Sequence, residues 1–522
     1  MISVAFGLAT APAPAQDDGF GPVGSEVRVN QYTSYGQDDG YVALDDEGNA
    51  VIVFSTLGDI GGRIFNADGS ARTDEFRVNT AVTAGLQDFP IAAWRPDGEA
   101  FVVVWNDWHG NDGFNMGCFG RLFDKNGVAI TPEVRINEYW DESQFDPCVA
   151  VHVDGTFVVA WVDAGRDGIA GIYMRRFAPD FTPLTGDVLV NLPSSRSQVD
   201  PWIARDHRGH FVITFTDASG DYGEPRNVLA KVFNADGTVF TEQFRVHQYV
   251  AGRQRAPCVA MAATGRWMVV WQDESAQDGS GFGVFARLFE IDGTPVTDDI
   301  PVPDYTVGDQ WNPAIGCDGA GNFIVVWEHL SGEQADVMMR RYDRNGFSLT
   351  AAERVNATET GYQGWPYVAF DDSGQDIVFA FTGGDDVWMR RYRTSPLVIA
   401  GDRSPGSSPS LELCLVGEEG HAYVIGASLD TDPGLELGDG RIWHLEPDVL
   451  FRFALSHPNS GPLHQFQGLL AEGGRGTGGI DIPPDPGFSG KTFYFAAGTV
   501  GAAVGFGTAV IRLTEPIALN IP

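Results

Sequence analysis

The sequence predicts an all-β fold, a seven-bladed β-propeller closed by an N-terminal outer strand and followed by a C-terminal β-sandwich. Three observations predict it. An apolar run closed by an aromatic residue recurs as Phe54, Trp105, Trp161, Phe215, Trp271, Trp327 and Phe381, at spacings of 51–56 residues. Each run is led by a glutamine (Gln37, Gln87, Gln144, Gln198, Gln254, Gln310, Gln363), with a proline three positions later in every unit but the first, where Gly40 stands. Each unit also carries four strand signals, the cue for a propeller blade.

The first signal is P-x-V-A, as in Pro147 to Ala150, and the second is F-V-V-x-W, as in Phe157 to Trp161. Both are apolar on alternating faces, which suits a blade sandwiched between two neighbours. The third, R-x-F, and the fourth, R-V-N, are more polar and belong nearer the rim. Turns such as Asn66-Ala67-Asp68-Gly69 and Asp124-Lys125-Asn126-Gly127 join strands three and four, their last glycine supplying a positive φ. They lack the further oxygen ligands of a calcium loop. The R-V-N strand occurs at Arg28-Val29-Asn30, before the first unit, and is missing after the seventh. The expected closure therefore pairs strands near 26–30 and 387–392.

The expected organisation is a signal peptide over 1–15, a linker over 16–25, the propeller over 26–393, a Ser/Pro-rich linker over 394–410 and a β-sandwich over 411–522. The short apolar stretch in MISVAFGLATAPAPAQ ends at an A-x-A site, Ala13-Pro14-Ala15, which predicts export to the cell envelope or beyond, although no Lys or Arg precedes it. No apolar run approaches the ~20 residues of a membrane span. The sandwich is expected from the runs LELCLVG, AYVIGASL, VLFRFAL, KTFYFAAGTV and AVIRLTEPIAL.

Composition narrows the function classes. The chain has 522 residues, 43% of them hydrophobic, and a formal net charge of −36. Such a surface repels phosphate backbones and anionic lipid, which disfavours nucleic acid as a partner and leaves carbohydrate, a cationic protein or a divalent metal. The five cysteines show no C-x-x-C pair and no metal spacing, and buried free thiols are expected.

The repeats GNFIVVWEHLSG, DGSGFGVFARLFEIDGTPVT and EFRVNT resemble those of exported bacterial proteins of largely unassigned function, a resemblance that covers roughly residues 26–393 and implies a propeller. LGDGRIWHLEPDVLF and GFSGKTFYFAA are similar to a C-terminal module of large exported proteins in planctomycete-like bacteria.

Two loop sets share one face of a propeller: those entering the innermost strand, which carry the glutamines, and those between strands two and three. The second set is acidic and glycine-rich. Two positions after the closing aromatic stand Asp107, Asp163, Asp217 and Asp273 in four consecutive blades, then His329, Gly383 and Thr56 in the others. At ~8 Å and an effective dielectric of ~20, adjacent carboxylates in such an arc repel by about 2 kcal/mol before screening. Two readings offset that cost. Each Asp caps its own loop through backbone N–H groups, or the arc binds Ca²⁺ or a cationic ligand. Phe89, Trp108, Tyr139, Trp140, Phe145, Trp202, Tyr222, Trp311 and Trp365 interleave with the acids; packing between blades accounts for most of them, and Trp108 and Tyr222 are the expected exposed ligand contacts. Seven glutamines at one position point to architecture, with a ring of amides gripping ligand as the alternative.

Catalytic motifs are thin. Gly474 to Gly479 fits G-x-G-x-x-G without a flanking βαβ unit, and His207 with His210 lacks a third metal ligand. Arg63, Arg121, Arg176, Arg287, Arg341 and Arg391, with Lys231 substituting, recur and read as structural ion-pair partners. The expectation is a non-enzymatic exported protein binding carbohydrate, a cationic partner or calcium, with no cofactor required. The alternative is a polysaccharide-active hydrolase or lyase using rim carboxylates.

Overall fold

The structure, a computed structural model, describes residues 20–394 apart from residues 35, 82–84, 109–115, 167, 193–195, 219–225, 278, 280, 333 and 359–360, and beyond 394 the strands between 397 and 520. The expected signal peptide and Tyr222 lie outside the described residues. The chain divides into two units, Pro22–Arg393 and a second containing Thr394–Pro522.

The first unit is a ring of seven four-stranded antiparallel sheets. Inner strands run over Gln37–Leu44, Gln87–Trp94, Gln144–Val151, Gln198–Arg205, Gln254–Met261, Asp309–Cys317 and Gln363–Phe370. The strands behind them, such as Ala100–Asp107 and Phe157–Asp163, are buried along their whole length, because each sheet has a neighbour on both faces. Val51 and Val53 of blade one thus pack in one cluster with Trp94, Phe101 and Trp105 of blade two. Trp105, Trp161, Trp271 and Trp327 are fully buried. At about 25 cal/mol per Å² over roughly 150–250 Å², each contributes on the order of 4–6 kcal/mol.

The seventh blade takes its outer strand, Gly21–Arg28, from the start of the ring, and that strand pairs with Asp386–Arg393. Val29 N donates to Val387 O at 2.8 Å and Val387 N to Asn30 Oδ1 at 2.9 Å. The predicted closure is therefore present.

The recurring arginine differs from the expected one in three blades. Arg63, Arg121, Arg175, Arg287 and Arg340 each donate through Nη1 to a carbonyl of the preceding blade (Val29, Val78, Ile136, Val246 and Val302) at 2.7–3.0 Å, and Arg390 does so to Val355 O. The bond is a staple from blade to blade. Arg176, Arg341 and Arg391 are next in sequence and point to the opposite face, as strand alternation requires; Arg391, for example, bonds Asp376.

The second unit has a four-stranded sheet, a five-stranded sheet and a two-stranded ribbon. Leu397–Ala400, inside the expected linker, is a strand paired with Ser410–Cys414, since its unbroken apolar run supplies β propensity that the flanking Ser and Pro do not cancel. Gly476 and Gly479 of the G-x-G-x-x-G match lie on the strand Arg475–Ile480, hydrogen-bonded to Ser410–Cys414, and Gly474 lies outside the described residues. That is extended backbone rather than a phosphate-cradling loop.

Candidate active site at the channel mouth

The seven glutamines are buried, from 0% to 5% exposed. In blade two, Asn79 Nδ2 of the preceding blade donates to Gln87 Oε1 at 3.0 Å, and Gln87 Nε2 donates to Asp107 Oδ1 at 2.9 Å. The relay recurs as Asn191 to Gln198 to Asp217, at 3.0 and 2.7 Å. Other glutamines also reach backbone at the entry turn, as Gln310 Nε2 does to Gly308 O at 2.8 Å. A carboxamide suits this position because it accepts and donates at once.

Asp107, Asp163, Asp217 and Asp273 are 0–2% exposed and turned inward to this relay. Asp163 Oδ1 also accepts from Gly165 N and Arg166 N, and Asp273 Oδ1 from Ser275 N. Trp108 is 44% exposed, and its Nε1 donates to Asp88 Oδ1 at 2.8 Å. Among the described residues no group of three or more His, Cys, Asp and Glu side chains is placed to hold a metal ion. His207 Nε2 instead meets Asp372 Oδ2 at 2.9 Å, and His210 Nδ1 meets Asp206 Oδ2 at 3.0 Å.

Between glutamine and proline the structure reveals a site of which the sequence pointed only to the aromatics Phe89 and Trp365, as packing residues. The second residue after each glutamine has a positive φ: Asp39 (51°), Phe89 (49°), Asp146 (54°), Asp200 (55°), Ala256 (49°), Asn312 (45°) and Trp365 (50°). Pairing with the next strand breaks there in every blade, as between Phe145 and Cys148 and between Val199 and Trp202. Each is a β-bulge that turns one side chain out of the ladder, a device common beside active sites. Asp and Asn tolerate this backbone; Phe, Ala and Trp hold it only because the ring imposes it. Side chains of the neighbouring blade do so directly: Asp146 N donates to Asn106 Oδ1 at 2.9 Å, Ala256 N to Thr216 Oγ1 at 3.0 Å and Trp365 N to Glu328 Oε1 at 2.6 Å.

These residues surround the mouth of the central channel. Phe89, Asp146, Asp200 and Trp365 line a cavity of about 300 Å³ with Trp202 and Tyr367 deeper in. Phe89 is 39% and Trp365 37% exposed. Asp146 is half-buried, and its carboxyl is pushed up to about 7 by desolvation, then by the charge of Asp200, with an Asn106 hydrogen bond opposing. Asp200 Oδ2 is held by Thr216 Oγ1 at 2.8 Å. Asp39 is also pushed up to about 7, by desolvation and then by Asp38, while Ser55 Oγ donates to it at 3.1 Å. The arrangement offers a proton held near neutrality, a second carboxylate on the adjacent blade, and aromatic faces around both. The available signal was the third position of Q-x-x-P, where the residue varies inside a constant frame.

No family model matches the chain, and no curated protein matches it. Solved structures similar to it include a protein of unknown function from Dyadobacter fermentans, at 11% identity, TM-score 0.45, and coverage of 72% of this chain and 99% of that one. An α-L-arabinanase from Penicillium chrysogenum, solved with arabinobiose, has 12% identity, TM-score 0.41, and coverage of 71% and 98%. An α-L-arabinofuranosidase from Fusarium graminearum has 10% identity, TM-score 0.41, and coverage of 72% and 98%. Glycoside hydrolases recur among these structures, against the expectation of a non-enzymatic binding protein. At such identities the likeness is one of fold, so any activity must rest on this chain's own residues.

Proposed function

We propose that the protein is a polysaccharide-active hydrolase working at the mouth of the propeller channel, with Asp146 as proton donor and Asp200 as its carboxylate partner. The observation that carries this reading is the placement of Asp146 and Asp200 on bulges of adjacent blades in one aromatic-lined cavity, where desolvation and the charge of Asp200 push the Asp146 carboxyl up to about 7. Glycoside hydrolysis needs one carboxylic acid that keeps its proton and one carboxylate that does not. Asp146 gives its proton to the departing glycosidic oxygen as the bond to the anomeric carbon breaks. Asp200 either accepts a proton from the water whose oxygen bonds the anomeric carbon, or itself bonds that carbon until water displaces it. Phe89 and Trp365 offer apolar faces on which a sugar ring stacks. The carboxylates at work thus stand on the inner strands of blades three and four, not in the rim loops first expected to carry them. Export, inferred from residues 1–15, suits a substrate too large to enter a cell.

Product release from a panel of polysaccharides by the full chain, by Asp146→Asn and by Asp200→Asn tests the reading. Removing a general acid costs about 10²–10⁴-fold in rate, so each variant should lose turnover while still unfolding cooperatively as a closed ring. Full turnover in Asp146→Asn would overturn it.

A further inference from the structure

Three aromatic rings from separate blades converge in the channel below the two carboxylates. Tyr41 of blade one, Trp202 of blade four and Tyr367 of blade seven meet inside it, with ring centroids 4.9 Å (Tyr41 to Tyr367), 5.9 Å (Trp202 to Tyr367) and 6.2 Å (Tyr41 to Trp202) apart. Trp202 and Tyr367 lie nearly parallel, at 11°. All three occupy the second position after the bulge residue, which inner-strand alternation also turns toward the axis. At the opposite mouth, in the turns that leave the inner strands, His207 of blade four and Asp372 of blade seven form an ion pair at 2.9 Å. That contact spans the ring. Asp372 raises the His207 pKa through its hydrogen bond, and desolvation, Arg205 and Asp46 also act on it.

Trp202 and Tyr367 line the cavity and Tyr41 packs against both rings; its volume of about 300 Å³ lies at the lower end of the roughly 300–1,000 Å³ of small-molecule pockets. A volume of that size has room for one sugar ring. Asp39, Asp88, Asp146 and Asp200 give the mouth an acidic rim, and Asp39, Asp88 and Asp146 all have pKa values raised by desolvation. An anionic sugar would add like charge where charge is already unfavourable, whereas a neutral ring meets apolar faces and hydrogen-bond partners. We propose that the mouth is a blind pocket for the neutral terminal sugar of a chain, so that the protein acts from chain ends and releases single sugars. This rests on the hydrolase reading for its turnover and on the aromatic floor for its selectivity.

The test separates the two. The full-length Asp146→Asn protein is applied to an array of neutral oligosaccharides attached through their reducing ends, each printed with its non-reducing end free and again capped by a uronic acid. The expected result is binding to free-ended chains and at least tenfold weaker binding to capped ones. Equal binding, preference for the cap, or no binding to either overturns the blind pocket. In parallel, the unmutated protein is given neutral aryl monosaccharide glycosides and dye-labelled crosslinked polysaccharides, which release soluble dye only when cut internally. Release from the aryl glycosides alone supports end action; dye release overturns the pocket and leaves the hydrolase standing. No release from either, with free-end binding on the array, overturns the hydrolase and leaves the pocket. Trp202→Ala, which removes part of the floor, should weaken free-end binding and narrow the gap between free and capped chains.

Discussion

Asp146 donates its backbone N–H to Asn106 Oδ1 at 2.9 Å, so the strand that positions the high-pKa carboxyl of blade three belongs to blade two. The same asparagine side chain lowers the Asp146 pKa by a hydrogen bond to the carboxyl. Asn106→Ala should therefore move the alkaline limb of the pH–rate profile upward from about 7, while kcat falls as the bulge loses its anchor. A purely structural asparagine would change Tm and leave that limb in place. Profiles of kcat/KM between pH 5 and 9 separate the two.

Asp39 and Asp146 also tie stability to pH. Both have folded pKa values of about 7 against a reference of 3.8, so the folded ring binds more protons than the unfolded chain between those limits. Stability falls as pH rises through that window. Each shift of about 3 units corresponds to roughly 4 kcal/mol at most, which screening in a half-open mouth reduces to about 1–2 kcal/mol. Asp39→Asn and Asp146→Asn should each raise Tm by about 1–3 °C at pH 8. The gain should vanish near pH 3.5, where both states are protonated.

Truncating Gln87 breaks the Asn79–Gln87–Asp107 relay between two blades. Gln87→Ala strips the amide from two buried polar neighbours and should cost about 1–3 kcal/mol. Gln87→Glu should cost as much or more, because it sets a second carboxyl against Asp107. Chemical denaturation of both variants measures this.

The four rim aspartates provide a separate check. Asp163 accepts from two loop amides, Gly165 N and Arg166 N, and Asp273 accepts from Ser275 N. Asp163→Asn and Asp273→Asn should lower stability by about 1 kcal/mol each, with or without calcium. A calcium-dependent rise in Tm that these substitutions abolish would instead support the metal-binding arc.

Removing residues 20–30 deprives the seventh blade of its outer strand and uncovers Val387, now 0% exposed. The loss should abolish cooperative unfolding rather than merely lower Tm, because an open ring leaves an unpaired strand edge. Calorimetry of the shortened chain reads it.

Periodicity made the ring legible: aromatic, glutamine and proline recur, and a repeated residue announces a repeated environment. The site was not legible by that route, because it occupies the one position that varies. Asp, Phe, Asp, Asp, Ala, Asn and Trp share no side-chain property, and the positive φ that unites them leaves a residue preference only at the Asp and Asn positions. The rim aspartates attracted notice by breaking the sevenfold pattern, yet burial turns them inward to the glutamines. The arginine staple was misplaced by one residue where two arginines adjoin, as at Arg175-Arg176, since only backbone alternation decides which of them faces the next blade.

The seven bulges separate what keeps the ring closed from what the ring recognises. Read around the mouth, they spell a seven-letter word, D-F-D-D-A-N-W, set in fixed type. Each letter hangs from its own blade by its own bulge, so one can be rewritten without respelling the others. Chains built on the same Q-x-x-P frame become comparable by that word alone, and a family of specificities becomes accessible to combinatorial replacement of seven codons.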